Sequence, residues 1–261
     1  MRWDIAILSE PGERENNEDC VAVTSGDAGI CAVLCDGLGG HDAGEVASKC
    51  VCDSVTAAFE KAPEGADIDE LVCELLQNAQ DELMKMQIEL GKQNGMKTTA
   101  CCLLIQNGKP AAAYVGDSRI YQFRKSKMLL RSSDHSIPQY LVNIGEIKER
   151  DIRHHPDRNK LLRVMGSEWE TPRYQRLKLE EPVRGDAFLL CTDGFWEWIE
   201  EKDMERFLKR ASCSEEWLDT MKKFIYARGR GNRMDNLSAI AVIRIDGENG
   251  EEDDPVRRMP K

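Results

Sequence analysis

Long hydrophobic runs are missing from this sequence of 261 residues. None approaches the roughly 18 consecutive apolar residues that a membrane-spanning helix needs. The opening residues, Met1-Arg-Trp-Asp, do not form a signal-peptide pattern. No internal repeat is visible at a period of roughly 20 to 50 residues. We therefore expect no membrane partner and no repeat architecture.

Positive charge is also in short supply. The chain has 36 Lys and Arg residues against 47 Asp and Glu residues, which gives a formal net charge of -11. Binding to nucleic acid requires a basic face that neutralises phosphates, so nucleic acid is not expected as a partner. Apolar residues make up 41% of the chain, which is enough for a sizeable core and typical of a cytoplasmic globular protein.

The ten cysteines lack the spacing of a metal site. None of them forms a C-x-x-C pair, and most lie inside apolar runs. Cysteine packs as a small hydrophobic residue, so we expect buried thiols rather than zinc ligands or disulfides, and a reducing compartment. A Cys-x5-Arg signature, which would indicate a cysteine nucleophile, is absent as well.

Carboxylates stand at the ends of the apolar runs. They are Glu18-Asp19, Asp36, Asp193 and Asp235. Asp-Gly is a common turn dipeptide, and a single case would need no further explanation. Four coordinated cases favour one shared site, which requires residues from about 10 to 245 to fold as one unit. Clustered carboxylates repel each other unless cations intervene, and oxygen ligands without His or Cys favour Mg²⁺ or Mn²⁺.

Two basic features accompany these acids. Arg14 lies in the polar loop 10–19, and its guanidinium suits bidentate binding of phosphate. A solvated surface arginine is the alternative. The segment 148–160 is locally basic and could guide an anionic substrate, or it could be the solvated face of a helix.

Hydrophobic periodicity predicts a mixed chain of strands and helices. Helices are expected at 42–61, 68–90, 201–210 and 214–228, and strands at 5–9, 20–24, 30–36, 99–106, 110–115, 119–124, 128–131, 174–179, 187–191 and 237–245. Asn107-Gly108 predicts a hairpin. The residues 116–119 are expected to form a bulge or turn within a second hairpin. Successive strands without intervening helices indicate antiparallel sheet. Trp196 and Trp198 are expected in the core.

The motifs together resemble those of the PPM family of metal-dependent Ser/Thr protein phosphatases, type 2C, in its short bacterial form. They are Arg14-x-x-Asn17-Glu18-Asp19, Asp36-Gly37-x-Gly39-Gly40-His41, Gly44-Glu45, Ala47-Ser48, Thr98-Thr99, Val115-Gly-Asp117-Ser-Arg119, Asp134-His-Ser136, Arg163-x-x-Gly166, Thr192-Asp193-Gly194 and Asp235-Asn236. The resemblance implies an α+β fold, a four-layer α/β/β/α sandwich with two central antiparallel sheets flanked by pairs of helices. It also implies a single catalytic domain at 1–246 and a charged tail at 247–261.

The resemblance further implies a role for each site residue. Asp36 would bridge two Mn²⁺ or Mg²⁺ ions, and the Gly37 carbonyl would complete one coordination sphere. Asp193 and Asp235 would bind the other ion, while Glu18 and Asp19 would act through bound waters. Asp117, with Asp193, matches a third and weaker metal site. Arg14 would hold the substrate phosphate, so that Asp36, Asp193 and Arg14 carry the catalysis.

The implied reaction is hydrolysis of phosphoserine and phosphothreonine in proteins by a metal-activated water. The expected partners are phosphoprotein substrates, a Ser/Thr kinase that the enzyme opposes and the targets of that kinase, and the expected state is a monomer. Two alternatives stay open: a catalytically silent phosphate-binding regulator of the same fold, and a hydrolase of small phosphomonoesters.

The sequence departs from the family pattern at two positions. Lys97 stands where the family usually has Gly, which leaves the local backbone geometry open. Leu38 stands where eukaryotic members often have a His general acid, so His41 is not given that role and the leaving group is expected to take its proton from water at the cations. The segment 138–162 corresponds to the flap of bacterial members, where we expect substrate selection.

Overall fold

The computed structural model describes residues 2–26, 29–38, 43–92 and 95–245. Two antiparallel sheets form its centre. The first contains, in spatial order, β1 (Arg2–Glu10), β11 (Leu237–Ile245), β10 (Ala187–Cys191), β7 (Arg119–Arg124) and β8 (Lys127–Arg131). The second contains β2 (Asp19–Gly26), β3 (Gly29–Leu38), β5 (Ala100–Gln106), β6 (Lys109–Val115) and β9 (Gln175–Leu177). The short strand β4 (Lys97–Thr98) pairs with the end of β3.

Helices cover the outer face of each sheet. The helices α1 (Ala43–Phe59) and α2 (Ile68–Glu89) pack on the second sheet, and α5 (Glu201–Leu208) and α6 (Ser214–Gly229) pack on the first. Three shorter segments complete the helical content: α3 (Ile137–Asn143), a 3₁₀ helix (Glu149–His154) and α4 (Asp193–Trp196). The predicted four-layer sandwich is confirmed. The start of the first helix at Asp42 and the tail at 247–261 lie outside the described residues.

Three apolar layers separate the four layers of secondary structure. The central one fills the space between the sheets and includes Leu34, Leu103 and Phe188. A second layer lies under α1 and α2, and a third lies under α5 and α6, where Trp196 and Trp217 are buried. Trp198 is partly buried against this third layer. Both tryptophans near Asp193 therefore belong to the core, as predicted.

The cysteines are part of this packing. All ten are free thiols, and eight of them are buried. Cys31 and Cys102, for example, face each other from neighbouring strands with their sulfurs 4.0 Å apart. The prediction of buried structural thiols is confirmed for these eight.

One predicted hairpin is correct and the other is wrong. Asn107 and Gly108 both have positive φ and join β5 to β6 directly. The second expected hairpin does not exist, because β6 and β7 belong to different sheets. The segment 116–118 crosses between the sheets, and this crossing carries Asp117 past the ends of both. Both strands are almost wholly buried, so their sequences do not alternate in a way that assigns a sheet.

Candidate active site

The acidic ends of the strands meet in one cleft at the edge of the sandwich. The cleft has a volume of about 680 Å³, and its lining includes Arg14, Glu18, Asp36, Gly37, Asp117, Asp193 and Asp235. Asp19 lies directly behind this lining, as the cross-strand partner of Asp36. The structure thus brings together every residue that the sequence placed in the site.

Two threonines fix the backbone of Asp36. The Thr99 hydroxyl accepts the N–H of Asp36 at 3.0 Å, and the Thr99 N–H donates to the carbonyl of Asp36 at 2.8 Å. The Thr98 hydroxyl donates to the same carbonyl at 2.8 Å. Both threonines are fully buried. The Thr98-Thr99 motif therefore positions the carboxylate of Asp36 without contacting the cleft itself.

Gly37 lies where a side chain has no room. A Cβ at this position would lie 2.3 Å from the carbonyl oxygen of Gly44 and 2.5 Å from that of Glu18. Gly37 also donates its N–H to the Glu18 carbonyl at 3.1 Å, and the hydroxyl of Ser48 donates to that carbonyl at 2.6 Å. Close packing of the first turns of α1 against the end of β3 explains the Gly44 and Ser48 motifs.

Asn236 supports the loop that carries Arg14, a role that sequence reasoning did not assign. Its side-chain amide donates to the carbonyls of Pro11 and Asn16 at 3.0 and 2.8 Å, and its Oδ1 accepts the N–H of Glu18 at 2.8 Å. Asn236 is buried. The signal was present in the Asp235-Asn236 motif, but no local pattern indicates which backbone groups an amide will bind.

Asp193 is the first residue of α4, and Thr192 alone separates it from the end of β10. The next residue is Gly194. A Cβ at position 194 would lie 2.1 Å from the Asn236 carbonyl oxygen, so this position requires glycine. One turn later, the indole N–H of Trp196 donates to the Asp117 carbonyl at 3.0 Å. This contact ties the crossing between the sheets to α4, and it holds Asp117 and Asp193 on the same side of the cleft.

The guanidinium of Arg14 pairs with a carboxylate of the site. Its Nη2 lies 2.7 Å from Oδ2 of Asp235. The Arg14 side chain is 57% exposed, so it retains freedom to move within the cleft mouth. The hydrogen bond to Asp235, followed by the charge of that carboxylate, raises the pKa of Arg14 further.

The other acids raise each other's pKa values. Burial and then the charge of Asp193 raise the pKa of Asp36 well above its usual range, and burial and then the charge of Asp117 do the same for Asp193. Burial raises the pKa of Asp19 to about 7, although hydrogen bonds from Ser238 and Thr192 oppose it. The pKa of Asp117 also rises to about 7, through burial and the charge of Asp134. The cluster therefore lacks compensating positive charge.

These features fit hard divalent cations. The donors are oxygens without His or Cys, and Oδ1 of Asp19 is a buried acceptor with no partner, as a water-mediated role requires. Within the described ranges, no three Asp, Glu, His or Cys side chains already converge as ligands of one ion. A cation here would therefore also need the Gly37 carbonyl and water.

The family profile described as "Protein phosphatase 2C" matches residues 12–229. The chain belongs to the protein phosphatase 2C family. Its relatives include the serine/threonine phosphatase stp of Listeria welshimeri, which is 30% identical over 88% of this chain and 91% of the relative.

Solved structures of phosphatases have the same fold. Serine/threonine phosphatase Stp1 from Staphylococcus aureus is 27% identical, with a TM-score of 0.81 over 95% of this chain and 96% of that chain. The catalytic domain of the serine/threonine protein phosphatase PstP was solved in complex with two manganese ions. It is 26% identical, with a TM-score of 0.78 over 94% of this chain and 99% of that chain.

In this protein phosphatase 2C chain, the segment 138–162 lies against the element that presents Asp193. Arg153 donates to the Trp196 carbonyl and pairs with Glu201 at 2.6 Å, and Arg158 pairs with Glu197 at 2.7 Å. Asn159 and Leu161 line the cleft. The positive charge of the basic segment 148–160 is thus partly neutralised by Glu197 and Glu201, which follow α4.

A buried ion pair accounts for two further motifs. Arg119 donates to both carboxylate oxygens of Asp134, at 2.9 and 2.7 Å, and its guanidinium lies 3.5 Å from the ring centre of Trp196. Neither residue lines the cleft. The pair fastens the start of the segment 134–166 to β7, and its role is structural.

The backbone at Lys97 is regular. Lys97 has no left-handed φ, and it pairs in β4 with Leu38 at the end of β3. The replacement of the usual Gly by Lys therefore leaves the strand geometry intact.

Each helix in the part of the chain that the structure describes is too short or too polar to span a membrane.

Proposed function

We propose that Asp36, the Gly37 carbonyl, Asp193 and Asp235 hold the two cations with which this chain hydrolyses phosphoserine and phosphothreonine in proteins. The observation that carries this proposal is the convergence of uncompensated carboxylates beside Arg14 in one open cleft. The family and the manganese-bound relative support Mn²⁺ or Mg²⁺ as the ions.

The remaining site residues take supporting roles in the proposal. Glu18 and Asp19 act through water, and the unpartnered Oδ1 of Asp19 supports this. Asp117 and Asp193 form a third and weaker site, which the tie between the Asp117 carbonyl and Trp196 supports. Arg14 leaves Asp235 when the cations bind and donates two N–H groups to the substrate phosphate.

Phosphate monoester hydrolysis is very slow without a catalyst, so the site must supply a large electrostatic stabilisation. The cations, when bound, lower the pKa of water and neutralise phosphate oxygens. Arg14 adds a positive charge at the cleft mouth, which orients the phosphate and balances its charge in the transition state. Thr98 and Thr99 keep the Asp36 backbone in one position, and Asn236 does the same for the Arg14 loop, so little reorganisation is needed during the reaction.

A catalytically silent phosphate-binding regulator is the less favoured function. The raised pKa values of Asp36 and Asp193 mean that their charges destabilise the folded chain unless cations compensate them. A phosphate-binding module has no use for such a cluster, because carboxylates repel phosphate.

The wider biological setting follows from the reaction. The substrates are phosphoproteins, and we propose that a Ser/Thr kinase and its targets are the partners and that the enzyme acts as a monomer. The cytoplasm is the proposed compartment, because ten free thiols suit a reducing environment.

The test is release of phosphate from a phosphothreonine peptide by the whole chain. We expect turnover with Mn²⁺ or Mg²⁺, loss of turnover in excess EDTA, and recovery when Mn²⁺ is restored. Asp193→Asn should stay inactive at every Mn²⁺ concentration while retaining the circular dichroism spectrum of the folded protein. Full activity in EDTA would show that the proposal is wrong.

A further inference from the structure

The end of β3 lies between two other segments of the chain. β3 pairs with β2 along one edge, and with β5 and β4 along the other. The loop before β2, with Arg14 and Glu15, therefore lines the cleft on one side of β3. β4, with Lys97, lies on the other side of β3, next to the cleft-lining Leu38. A substrate chain that places its phosphate near Asp36 and crosses the end of β3 would therefore pass both Glu15 and Lys97.

Lys97 lies beside the residues that line the cleft. It lies directly opposite Leu38 in the antiparallel pair, and residues opposite each other extend their side chains on the same face of the sheet. Leu38 is two residues from Asp36, which places both on one face, and both line the cleft. Lys97 thus extends from the same face that presents Asp36.

The ammonium group of Lys97 is not used within the described structure. Lys97 is partly buried, and across residues 2–26, 29–38, 43–92 and 95–245 its side-chain ammonium forms neither a hydrogen bond nor an ion pair. Neighbouring cations differ in this respect, since Arg158 pairs with Glu197 and Lys160 pairs with Asp157. An uncommitted positive charge therefore lies on one side of a cleft that takes an anionic substrate.

We propose that Lys97 is a specificity-determining residue that binds a second anionic group of the substrate, close to the phosphoresidue. This inference rests on the proposed function and names its substrate class. The anionic group is a carboxylate of Asp or Glu, or a second phosphate. Two residues of an extended peptide span roughly 7 Å, and Asp36 and Leu38 are two strand residues apart. Lys97 lies opposite Leu38. When the phosphate lies near Asp36, a substrate group two residues away can therefore reach Lys97.

The loop on the other side of β3 makes this selection directional. Glu15 is exposed beside Arg14, and its carboxylate repels an anion placed on that side. An acidic residue is therefore accepted on one side of the phosphoresidue and disfavoured on the other.

The test compares peptides that differ in one residue. A neutral phosphothreonine peptide serves as reference, and two others carry Glu two residues before or two residues after the phosphothreonine. Two more carry a non-hydrolysable phosphonate analogue of phosphoserine at those positions, because phosphoserine itself would release phosphate. We expect one Glu isomer to exceed the neutral peptide about three- to fivefold in kcat/KM, as a single exposed charge pair allows. The preference should weaken as salt is raised from about 0.05 to about 0.5 M.

Two variants assign the effect to Lys97. Lys97→Met should bring the ratio of the favoured acidic peptide to the neutral peptide close to one, and Lys97→Glu should invert it. Lys109→Met is the matched control, because Lys109 is exposed at the far end of β6, and this variant should retain the wild-type ratio. If both Glu and the phosphonate are favoured, a general anion site is supported, and a preference for the phosphonate alone identifies a second phosphate as the ligand.

Equal kcat/KM values for all peptides, or a preference that Lys97→Met and Lys97→Glu leave unchanged, would overturn the inference while the proposed function stands. A wild-type protein that releases phosphate from none of the peptides would overturn both.

Discussion

Arg14 and Asp235 are 221 positions apart in the sequence, and their side chains form a 2.7 Å ion pair across the mouth of the cleft. Without cations, the guanidinium supplies part of the positive charge that the carboxylates lack. In the proposed reaction this charge moves from Asp235 to the phosphate. Arg14 therefore couples the cation site to the substrate site.

Removal of Arg14 separates these two roles. Arg14→Ala should raise KM for a phosphothreonine peptide about tenfold or more, because a hydrogen bond between charged groups contributes roughly 1.5–3 kcal/mol. Binding of Mn²⁺ should not weaken, since Asp235 is released from its pair. Steady-state kinetics and titration calorimetry measure the two effects. Arg14→Lys, which keeps the charge but not the planar fork, should lie between wild type and Arg14→Ala. An unchanged KM in Arg14→Ala would refute the assigned role.

Replacement of Asp193 should stabilise the protein as it removes activity. Asp193→Asn eliminates a buried and repelled charge, so the metal-free protein at about pH 8 should gain about 1 kcal/mol or more in the free energy of unfolding. Asp186→Asn is the control, because Asp186 is buried but pairs with Arg124 at 2.8 Å, and this variant should lose about 2 kcal/mol. Urea titration in EDTA measures both. A destabilised Asp193→Asn would contradict the account of a strained acid cluster.

The stability gained from cations should depend on pH. Asp19 and Asp117 have pKa values raised to about 7, so between about pH 4 and 7 the folded chain keeps protons that the unfolded chain has released. Their contribution lowers the free energy of unfolding as pH rises, and cations remove this penalty. The lowered pKa of buried His135 acts in the opposite direction, but equally with and without cations.

The measurement compares the melting temperature in Mn²⁺ with that in EDTA. The difference between the two melting temperatures should increase from about pH 5.5 to about pH 8. The contribution of His135 to stability is the same in Mn²⁺ and in EDTA, so it cancels in this difference. A difference that stays constant over the range would show that the carboxylates do not titrate as the crowded cluster predicts.

Replacement of Asn236 should reduce stability and substrate binding more than replacement of the nearby asparagine in the sequence, Asn232. Asn236→Ala leaves the Glu18 N–H and two loop carbonyls without their partner, and should cost about 2–3 kcal/mol of stability and raise KM through the Arg14 loop. Asn232→Ala is the control, because Asn232 is exposed and its side chain makes one long hydrogen bond, 3.4 Å, to Arg228. Thermal melts and peptide kinetics compare the two. If the two substitutions changed the melting temperature and KM equally, Asn236 would not have the proposed positioning role.

The sequence was most informative where a local rule decides the structure. Asn107 and Gly108 predict their hairpin because few other residues accept positive φ at both positions. The positions of Asp36 and Asp193 at strand ends follow from apolar runs that stop at a carboxylate. The layered fold followed from the family resemblance, and the alternation of helical and strand patterns agreed with it.

The sequence was least informative where distant parts of the chain meet. The assignment of β6 and β7 to different sheets depends on which buried face each strand shares. The two strands are almost wholly buried, so their sequences carry no alternation that shows it. The contacts of Asn236 and the pair of Arg14 with Asp235 depend on loop geometry that the folded sheets define. The orientation of Lys97 likewise follows from its register with Leu38, which the sequence alone does not give.

The most direct test of the central claim is a crystal structure of the whole chain grown with Mn²⁺, with the ions located by anomalous scattering. We expect two strong peaks in the cleft, bridged by Asp36, with the Gly37 carbonyl at one ion and Asp193 and Asp235 at the other. Arg14 should have left Asp235. A cleft without anomalous peaks at saturating Mn²⁺, or peaks that Asp36, Asp193 and Asp235 do not contact, would contradict the account.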